Sequence, residues 1–174
     1  MSSVSNRIGG KRARANGEHF EALIERVCFM YELRGEAYIM KTPEPMKPIK
    51  PYSRMGQFIA CYTKQAQPDY KGTLKGGRAV VFEAKHTATG RIEQSRVTPE
   101  QSAALSKHEA LGAICFVLVS FQFKKFYCIP WSVWRTIPET FGKQSVNEKD
   151  VSAYEVNISR FLDKYIYGNG DRYK

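Results

Sequence analysis

Three polar side chains that could act together lie close in the sequence: Asp69 follows Pro68, and Glu83 and Lys85 are two residues apart. A hard divalent cation such as Mg²⁺, with Mn²⁺ as a substitute, prefers carboxylate oxygens, which Asp69 and Glu83 can supply. Lys85 could orient or deprotonate a water molecule, or neutralise negative charge that develops on a phosphate. Metal-dependent phosphodiester hydrolysis requires this combination of residue types.

The same three residues also admit a purely structural interpretation. An aspartate after a proline is often only a turn former, and a glutamate and a lysine two apart on a strand often face water as a pair. The short pattern also arises by chance. However, the apolar residues 80–82 and Ala84 favour an interior strand, where charges are costly unless they bind a ligand or a metal.

A third acidic side chain could come from the first helix. Glu21 lies near the start of this helix and is the favoured candidate, with Glu18 and Glu25 as alternatives.

The hydrophobic pattern predicts the elements that would position these residues. Apolar side chains at three-and-four spacing indicate a helix from Glu18 to about Gly35, and Thr98, Pro99 and Gln101 begin a second helix with a capping box. The pattern also predicts five strands, at residues 37–40, 58–63, 78–86, 113–121 and 124–130. It predicts a proline-rich connector over residues 42–52 and a turn-rich segment over residues 65–77. Residues 131–137 are expected to form a short helix or turn, and residues 156–167 a terminal helix.

This order of elements predicts a three-layer α/β or α+β fold, with a mixed central sheet flanked by helices. Residues 18–174 are expected to form one domain, because a chain of 174 residues is long enough for one core and too short for a second. Residues 1–17 are basic, contain no acid and are expected to be a flexible tail.

The formal net charge of +10 favours a polyanionic partner, and nucleic acid is the first to expect. Four aromatic residues, Tyr52, Phe58, Tyr62 and Tyr70, interleave with the basic ones; they could stack on bases, although a core position is the more common role. The candidate DNA-binding residues are Arg12, Arg14, Lys47, Lys50, Arg54, Lys64, Lys71, Lys75 and Arg78.

The composition favours a cytoplasmic protein. There is no run of about 18 apolar residues, and the N-terminal segment lacks the apolar stretch of a signal peptide. Cys28, Cys61, Cys115 and Cys128 are widely separated among apolar neighbours, so we interpret them as reduced core thiols rather than as disulfides or zinc ligands.

Five sequence blocks, in order, resemble the RecU family of Holliday junction resolvases. They span about residues 17–134 and read GEHFEALIE, KTPEPMKPIK, PDYKGTLKGGRAVVFEAKHT, TPEQSAALSKH, and GAICFVLVSF followed by PWSVW. The resemblance implies a restriction-endonuclease-like fold. It also matches Asp69 and Glu83 to the family's metal carboxylates, Lys85 to its catalytic lysine, Glu21 to its helix acid, and Gln101 to a glutamine near the active site.

The resemblance further implies a homodimer with two active sites on opposing strands of a four-way junction. Residues 43–64 match the family's projecting stalk, which enters the junction centre. The leading hypothesis is therefore a Mg²⁺-dependent endonuclease that makes paired cuts across a Holliday junction in DNA recombination and repair, where other recombination proteins could be partners. The alternatives are a duplex-DNA repair or restriction-type nuclease of the same fold, and a non-catalytic junction-binding protein.

Overall fold

A computed structural model describes residues 2–43, 45–53, 55–63 and 67–168, with side chains described from residue 9 onward. The helices are α1 (Ser2–Leu33), α2 (Pro99–Ala110), α3 (Trp131–Trp134), α4 (Ile137–Phe141) and α5 (Asp163–Tyr167). The strands are β1 (Ala37–Lys41), β2 (Met46–Pro51), β3 (Phe58–Tyr62), β4 (Tyr70–Leu74), β5 (Ala79–Thr87), β6 (Arg91–Glu93), β7 (Ile114–Phe121), β8 (Lys125–Pro130), β9 (Ser145–Asn147) and β10 (Glu155–Val156).

Six strands form the central sheet, in the order β1-β4-β5-β7-β8-β10. β5 pairs in parallel with β7, whereas the other neighbouring pairs are antiparallel. A parallel pair needs a crossover connection, and the chain supplies one through β6, a 3₁₀ turn at Gln94–Arg96 and α2. The predicted mixed sheet is confirmed.

Helices cover both faces of this sheet. On one face, Ile24 of α1 packs in a core that includes Phe82 of β5. On the other face, Leu105 of α2 and Trp131 of α3 share a second core with Val81. β7 is buried at all eight positions, as its apolar sequence predicts for the centre of the sheet. The three-layer arrangement is therefore confirmed.

The first helix is longer than the sequence predicts. It begins at Ser2 rather than Glu18, so residues 2–17 are helical in the structure instead of forming an irregular tail. This stretch contains no proline, and its alanine, arginine and lysine residues favour a helix despite three glycines. The flexibility of this end in the free protein stays a prediction. The helix ends at Leu33, and Gly35 adopts the left-handed conformation (φ 64°), as predicted for a natural stop.

The prediction of a turn-rich segment over residues 65–77 is wrong in its second half, because β4 lies there and pairs with both β1 and β5. Its lysine, glycine and threonine conceal the strand in the sequence. Tyr70 and Leu74 supply buried anchors at its two ends. Gly72 permits the close approach of β1, since a Cβ at this position would lie 2.1 Å from the carbonyl oxygen of Tyr38.

The single terminal helix predicted over residues 156–167 is also wrong. β10 pairs with β8, a 3₁₀ turn follows at Ile158–Arg160, and only Asp163–Tyr167 is α-helical. The side chain of Asn157 accepts a hydrogen bond from the backbone N–H of Ser159 (3.0 Å). This local bond starts a new turn and interrupts the helical pattern.

β2 and β3 form a separate two-stranded antiparallel sheet, which we call the β2–β3 hairpin. Its prolines are compatible with this arrangement because it lies outside the central sheet, and the register shifts between Pro48 and Lys50. All of β2 and four of the five residues of β3 are exposed. The hairpin occupies most of the segment expected to be a stalk, and that role stays a prediction.

All four cysteines are free thiols, as expected. Cys28, Cys115 and Cys128 are buried, but Cys61 lies exposed on β3, so its assignment to the core is wrong. Cys61 belongs to a strand whose two faces have no covering layer in the described chain. In the same described ranges, no helix is long and apolar enough to cross a membrane.

A buried hydrogen-bond group ties α1 to the C-terminal part of the chain. The hydroxyl of Tyr31 donates to Asp163 Oδ1 (2.7 Å) and accepts from the backbone N–H of Leu162 (3.1 Å). Tyr31 is fully buried, and Asp163 is nearly so. A single hydroxyl therefore satisfies one acceptor and one donor that solvent cannot reach.

Replacing Tyr31 by phenylalanine should lower the free energy of unfolding by about 1–3 kcal/mol, because it leaves the buried carboxylate of Asp163 and the Leu162 N–H without this partner. Urea denaturation measures the change. Tyr52→Phe is the matched control, since Tyr52 is 71% exposed. An equal effect of both substitutions would contradict the proposed role of the buried hydroxyl.

Candidate active site

Asp69, Glu83 and Lys85 meet at one place on the sheet. Asp69 immediately precedes β4, while Glu83 and Lys85 lie on the same face of β5. Lys85 Nζ lies 2.7 Å from Glu83 Oε2 and 3.4 Å from Asp69 Oδ2. The structure therefore brings the three side chains together.

The backbone of β5 fixes the position of Asp69. Tyr70 is the first residue of β4 and pairs with Phe82, so the β4 ladder does not extend to Ala84. The backbone N–H of Ala84 donates instead to Asp69 Oδ2 (2.9 Å). The Asp69 carboxylate thus accepts the hydrogen bond that a longer β4 would otherwise accept from β5. This bond holds the carboxylate beside Lys85.

Glu83 is an acid with no exposed surface in the middle of the sheet. Its Oε2 accepts hydrogen bonds from Lys85 Nζ (2.7 Å) and from Gln101 Nε2 (2.6 Å). Its Oε1 is buried and has no hydrogen-bond partner among the described residues. A buried carboxylate oxygen without a partner is unfavourable unless a further ligand completes its environment.

Burial raises the pKa of Glu83 to about 8, and the charge of Asp69 acts in the same direction, while Lys85 opposes both. Burial lowers the pKa of Lys85, but the charges of Asp69 and Glu83 outweigh this effect, so its pKa is raised. Lys85 is therefore an ammonium at neutral pH.

Without divalent metal, the stability of the wild-type protein should fall as pH rises from about 5 to about 9. The pKa of Glu83 is about 8 in the folded state, against an ordinary value of 4.5. Between these values the folded state binds more protons than the unfolded state, so rising pH favours unfolding. Urea denaturation in EDTA at several pH values measures the slope. It should flatten in Glu83→Gln and persist in the control Glu139→Gln, and a wild-type stability that increases over this range would contradict the prediction.

The site fits a hard divalent cation. Two carboxylates with oxygen donors converge, and Glu83 Oε1 is an orphaned buried acceptor. No group of three or more His, Cys, Asp or Glu side chains that could hold a metal occurs within the described ranges. The candidate side-chain ligands of such a site are therefore Asp69 and Glu83, and their role as metal ligands stays a prediction.

Glu21 does not join these two acids. Its Oε2 lies 2.8 Å from Lys41 Nζ, and Glu25 Oε1 lies 3.8 Å from the same atom. The Glu21 bond raises the pKa of Lys41, and Asp69 contributes to this rise, so Lys41 connects the helix acids to the edge of the site. The sequence pattern did not single out Lys41, because its partners are 16 and 20 residues away. A role for Glu21 in catalysis stays a prediction.

Gln101 lies beside Glu83 because of the way α2 begins. The Thr98 side chain accepts from the Gln101 N–H, and Gln101 Oε1 accepts from the Thr98 N–H (3.1 Å), which together form the predicted capping box. The Nε2 group of the same side chain remains available and donates to Glu83. One amide thus caps the helix and holds the acid.

The candidate DNA-binding residues are not all near the site. Lys47 and Lys50 are exposed on the β2–β3 hairpin, and Lys75 and Arg78 lie at the end of β4 and β5 away from Asp69. Arg12 and Arg14 lie on α1, where Arg14 pairs with Glu18, and Lys71 lies on β4. Arg54 and Lys64 lie outside the described residues.

The four aromatic residues also separate. Tyr70 is core and stacks on Phe82, with ring centroids 4.8 Å apart. Tyr52, Phe58 and Tyr62 are exposed on or beside the β2–β3 hairpin. Of these four residues, Tyr70 alone therefore occupies the core position that is usual for aromatic side chains.

The fold has a counterpart among solved structures. Hjc from Archaeoglobus fulgidus, described as a Holliday junction resolvase from an archaeal hyperthermophile, is similar with a TM-score of 0.50. The match covers 83% of this chain and 98% of that chain at 11% sequence identity, so it carries the fold alone.

A mixed sheet between two helical layers, with two acids and a lysine brought together where β4 begins beside β5, defines a domain of the restriction-endonuclease-like class. A family model supports a narrower assignment, since the model described as Recombination protein U matches residues 15–167. The chain belongs to the RecU family, as its five sequence blocks predict.

Curated relatives agree with this family. A Holliday junction resolvase RecU of Streptococcus sanguinis (strain SK36) is 32% identical over 143 residues, which are 75% of this chain and 68% of the relative. The protein of that name from Lactococcus lactis subsp. lactis (strain IL1403) is 34% identical over 134 residues, which are 71% of this chain and 58% of the relative. The match thus spans about three fifths to two thirds of these relatives.

Proposed function

We propose that this chain is a structure-selective endonuclease that resolves Holliday junctions by paired cleavage of phosphodiester bonds, with Mg²⁺ as its cofactor and Mn²⁺ as a substitute. The convergence of Asp69, Glu83 and Lys85 carries the nuclease part of this proposal. The names of its relatives and of its structural neighbour support the four-way junction as substrate.

Each residue of the site has a distinct role in the proposed reaction. Asp69 and Glu83 would hold the cation, which would supply Lewis-acid stabilisation of the negative charge that develops on the phosphate. The Ala84 N–H orients Asp69, and Gln101 orients Glu83. Because Lys85 is charged at neutral pH, its ammonium is suited to neutralise the phosphate in the transition state rather than to accept a proton from water.

Paired cuts on opposing strands require two active sites, so we include a homodimer in the proposal. Exposed apolar side chains on α1 and on the edge strand β1 support a subunit contact there: Phe29, Leu33, Tyr38 and Met40. The exposed lysines and aromatics of the β2–β3 hairpin support a stalk that contacts unpaired bases at the junction centre. Action on DNA in the cytoplasm, beside other recombination proteins, completes the proposal.

The decisive experiment uses a labelled mobile four-way junction and a linear duplex of the same sequence at equal salt. We expect symmetric nicks in the junction with Mg²⁺ or Mn²⁺, little cutting of the duplex, and loss of cleavage on adding chelator. Equal cleavage of both substrates would favour a duplex-DNA nuclease of the same fold. Junction binding without cleavage in any divalent metal would favour the non-catalytic alternative.

Gln101→Glu should lower the rate of junction cleavage by about 10- to 100-fold while it keeps the helix cap. A glutamate oxygen can still accept from the Thr98 N–H, but it cannot donate to Glu83 and adds a negative charge beside it. Single-turnover cleavage and urea denaturation measure the two effects separately.

Thr98→Ala is the complementary control for this prediction. It removes the other half of the capping box, so it should cost about 1 kcal/mol of stability and leave cleavage nearly unchanged. If Thr98→Ala reduced cleavage as much as Gln101→Glu, the contact between Gln101 and Glu83 would not be the cause.

A further inference from the structure

A cavity of about 510 Å³ lies directly beyond the candidate active site along β5. It begins at His86 and Thr87, the two residues after Lys85, and continues along the segment that leads to α2. α1 closes its other side. Strand residues are about 3.3 Å apart, so the cavity starts within one or two residue lengths of Lys85. The residues on which the inference rests are Asn16, His86, Thr87, Arg91, Glu93 and Arg96.

The cavity is basic. Arg91 and Arg96 both line it, against the single carboxylate of Glu93. Within the part of the chain that the structure describes, no carboxylate lies within salt-bridge distance of either arginine. Two guanidinium groups without a carboxylate partner favour an anion, and a phosphate matches their planar donor geometry.

Hydrogen bonds hold Arg91 in place before any ligand is present. The hydroxyls of Thr87 and Thr89 both donate to the carbonyl oxygen of Arg91, each at 2.9 Å. Its guanidinium also donates to Ser145 Oγ (2.7 Å). A cation whose backbone and guanidinium are both held in this way loses little conformational freedom when it binds a ligand.

His86 contributes a neutral ring to the lining of the same cavity. Its Nδ1 lies 3.2 Å from the hydroxyl of Ser120, which also accepts from the backbone N–H of Phe123. This contact with the fully buried hydroxyl orients the ring, whose Nε2 is buried and has no protein partner in the described ranges. Burial lowers the pKa of His86, and the charges of Arg96 and His19 lower it further, so the ring is neutral at neutral pH.

We propose that this cavity binds the phosphodiester group next to the one that is cleaved on the same DNA strand, with Arg96 and Arg91 as its charged ligands. The inference rests on the proposed function, because it assumes that the scissile phosphate lies at Lys85. The site then sets the register of the strand: the neighbouring phosphate is held, and the scissile one is placed over Asp69 and Glu83. Arg91 and Arg96 are positioning residues in this scheme.

The first test measures DNA binding in EDTA, so it does not depend on cleavage. Arg96→Gln should reduce the magnitude of the slope of log K, where K is the DNA-binding constant, against log salt concentration by about one, because one phosphate contact is lost. Arg96→Lys should keep most of the slope because it keeps the charge. Arg160→Gln is the matched control, since Arg160 is exposed and follows β10 at the other side of the sheet. A slope in Arg96→Gln equal to that of the wild type would overturn the proposal.

The second test identifies the phosphate. A neutral methylphosphonate is placed singly at each position flanking the mapped cut, and single-turnover cleavage is measured for the wild type and for Arg96→Gln. At one flanking position the modification should slow the wild type by about tenfold or more and add little to the Arg96→Gln defect. Equal slowing of both proteins at both positions would overturn the proposal. If the wild type cut no junction at all, the proposed function would fail, whereas the salt dependence of binding would still decide whether Arg96 contacts a phosphate.

Discussion

Glu83→Gln and Asp69→Asn should each reduce junction cleavage by about 10³-fold or more, while junction binding in EDTA persists. Each substitution removes one of the two carboxylates that could hold the cation, yet preserves the size of the side chain. The amides can still accept the hydrogen bonds that the acids accept now from Lys85, Gln101 and the Ala84 N–H. We therefore expect the fold to survive and the chemistry to fail.

Single-turnover cleavage over a range of Mg²⁺ and Mn²⁺ concentrations measures this effect, and isothermal titration with Mn²⁺ tests the loss of metal binding directly. Glu139→Gln is the control, because it makes the same chemical change at an exposed position on α4. Nicking by either site variant at the wild-type rate would refute its assignment as a metal ligand.

Lys85→Met should also reduce cleavage by about 10²- to 10³-fold, but by a different route. Lys85 lies within 3.4 Å of both carboxyl groups, so its positive charge opposes that of a cation bound between them. Removing it leaves the metal ligands in place and takes away a competing positive charge. Metal binding should therefore be retained or become tighter, in contrast to Glu83→Gln.

Titration with Mn²⁺ and single-turnover cleavage separate these two outcomes, and Lys107→Met on the exposed side of α2 serves as the control. If Lys85→Met lost metal binding together with cleavage, the lysine would be needed to assemble the site. Its assignment as the group that neutralises the phosphate would then be wrong.

The sequence predicted those elements whose position depends on a short local motif. The capping box of Thr98 and Gln101 fixes the start of α2, and the alternation along β5 places Glu83 and Lys85 on one face. It also predicted that Asp69 could act together with Glu83 and Lys85. The sequence alone could not supply the reason, which is that the backbone N–H of Ala84, beyond the end of β4, donates to the Asp69 carboxylate.

The features that the sequence concealed depend on partners far along the chain. β4 is a strand because β1 and β5 lie on its two sides, and Gly72, which resembles a turn residue in the sequence, is what lets β1 approach. The pairing of Lys41 with Glu21 joins a strand to a helix, so no short sequence motif indicates it. Residues 2–17 lack an apolar stripe, which is why the sequence predicts a tail there. Their helix propensity nevertheless lets the structure continue the helix through them.

The bond between Tyr31 and Asp163 has a consequence for synthesis on the ribosome. The first helix emerges early, but the group that satisfies its buried hydroxyl is 132 residues further along the chain. Until that residue has left the exit tunnel, the face of α1 that packs on the sheet lacks its final partner. The nascent polypeptide therefore completes the native packing of α1 only after both acids of the cation site have been made.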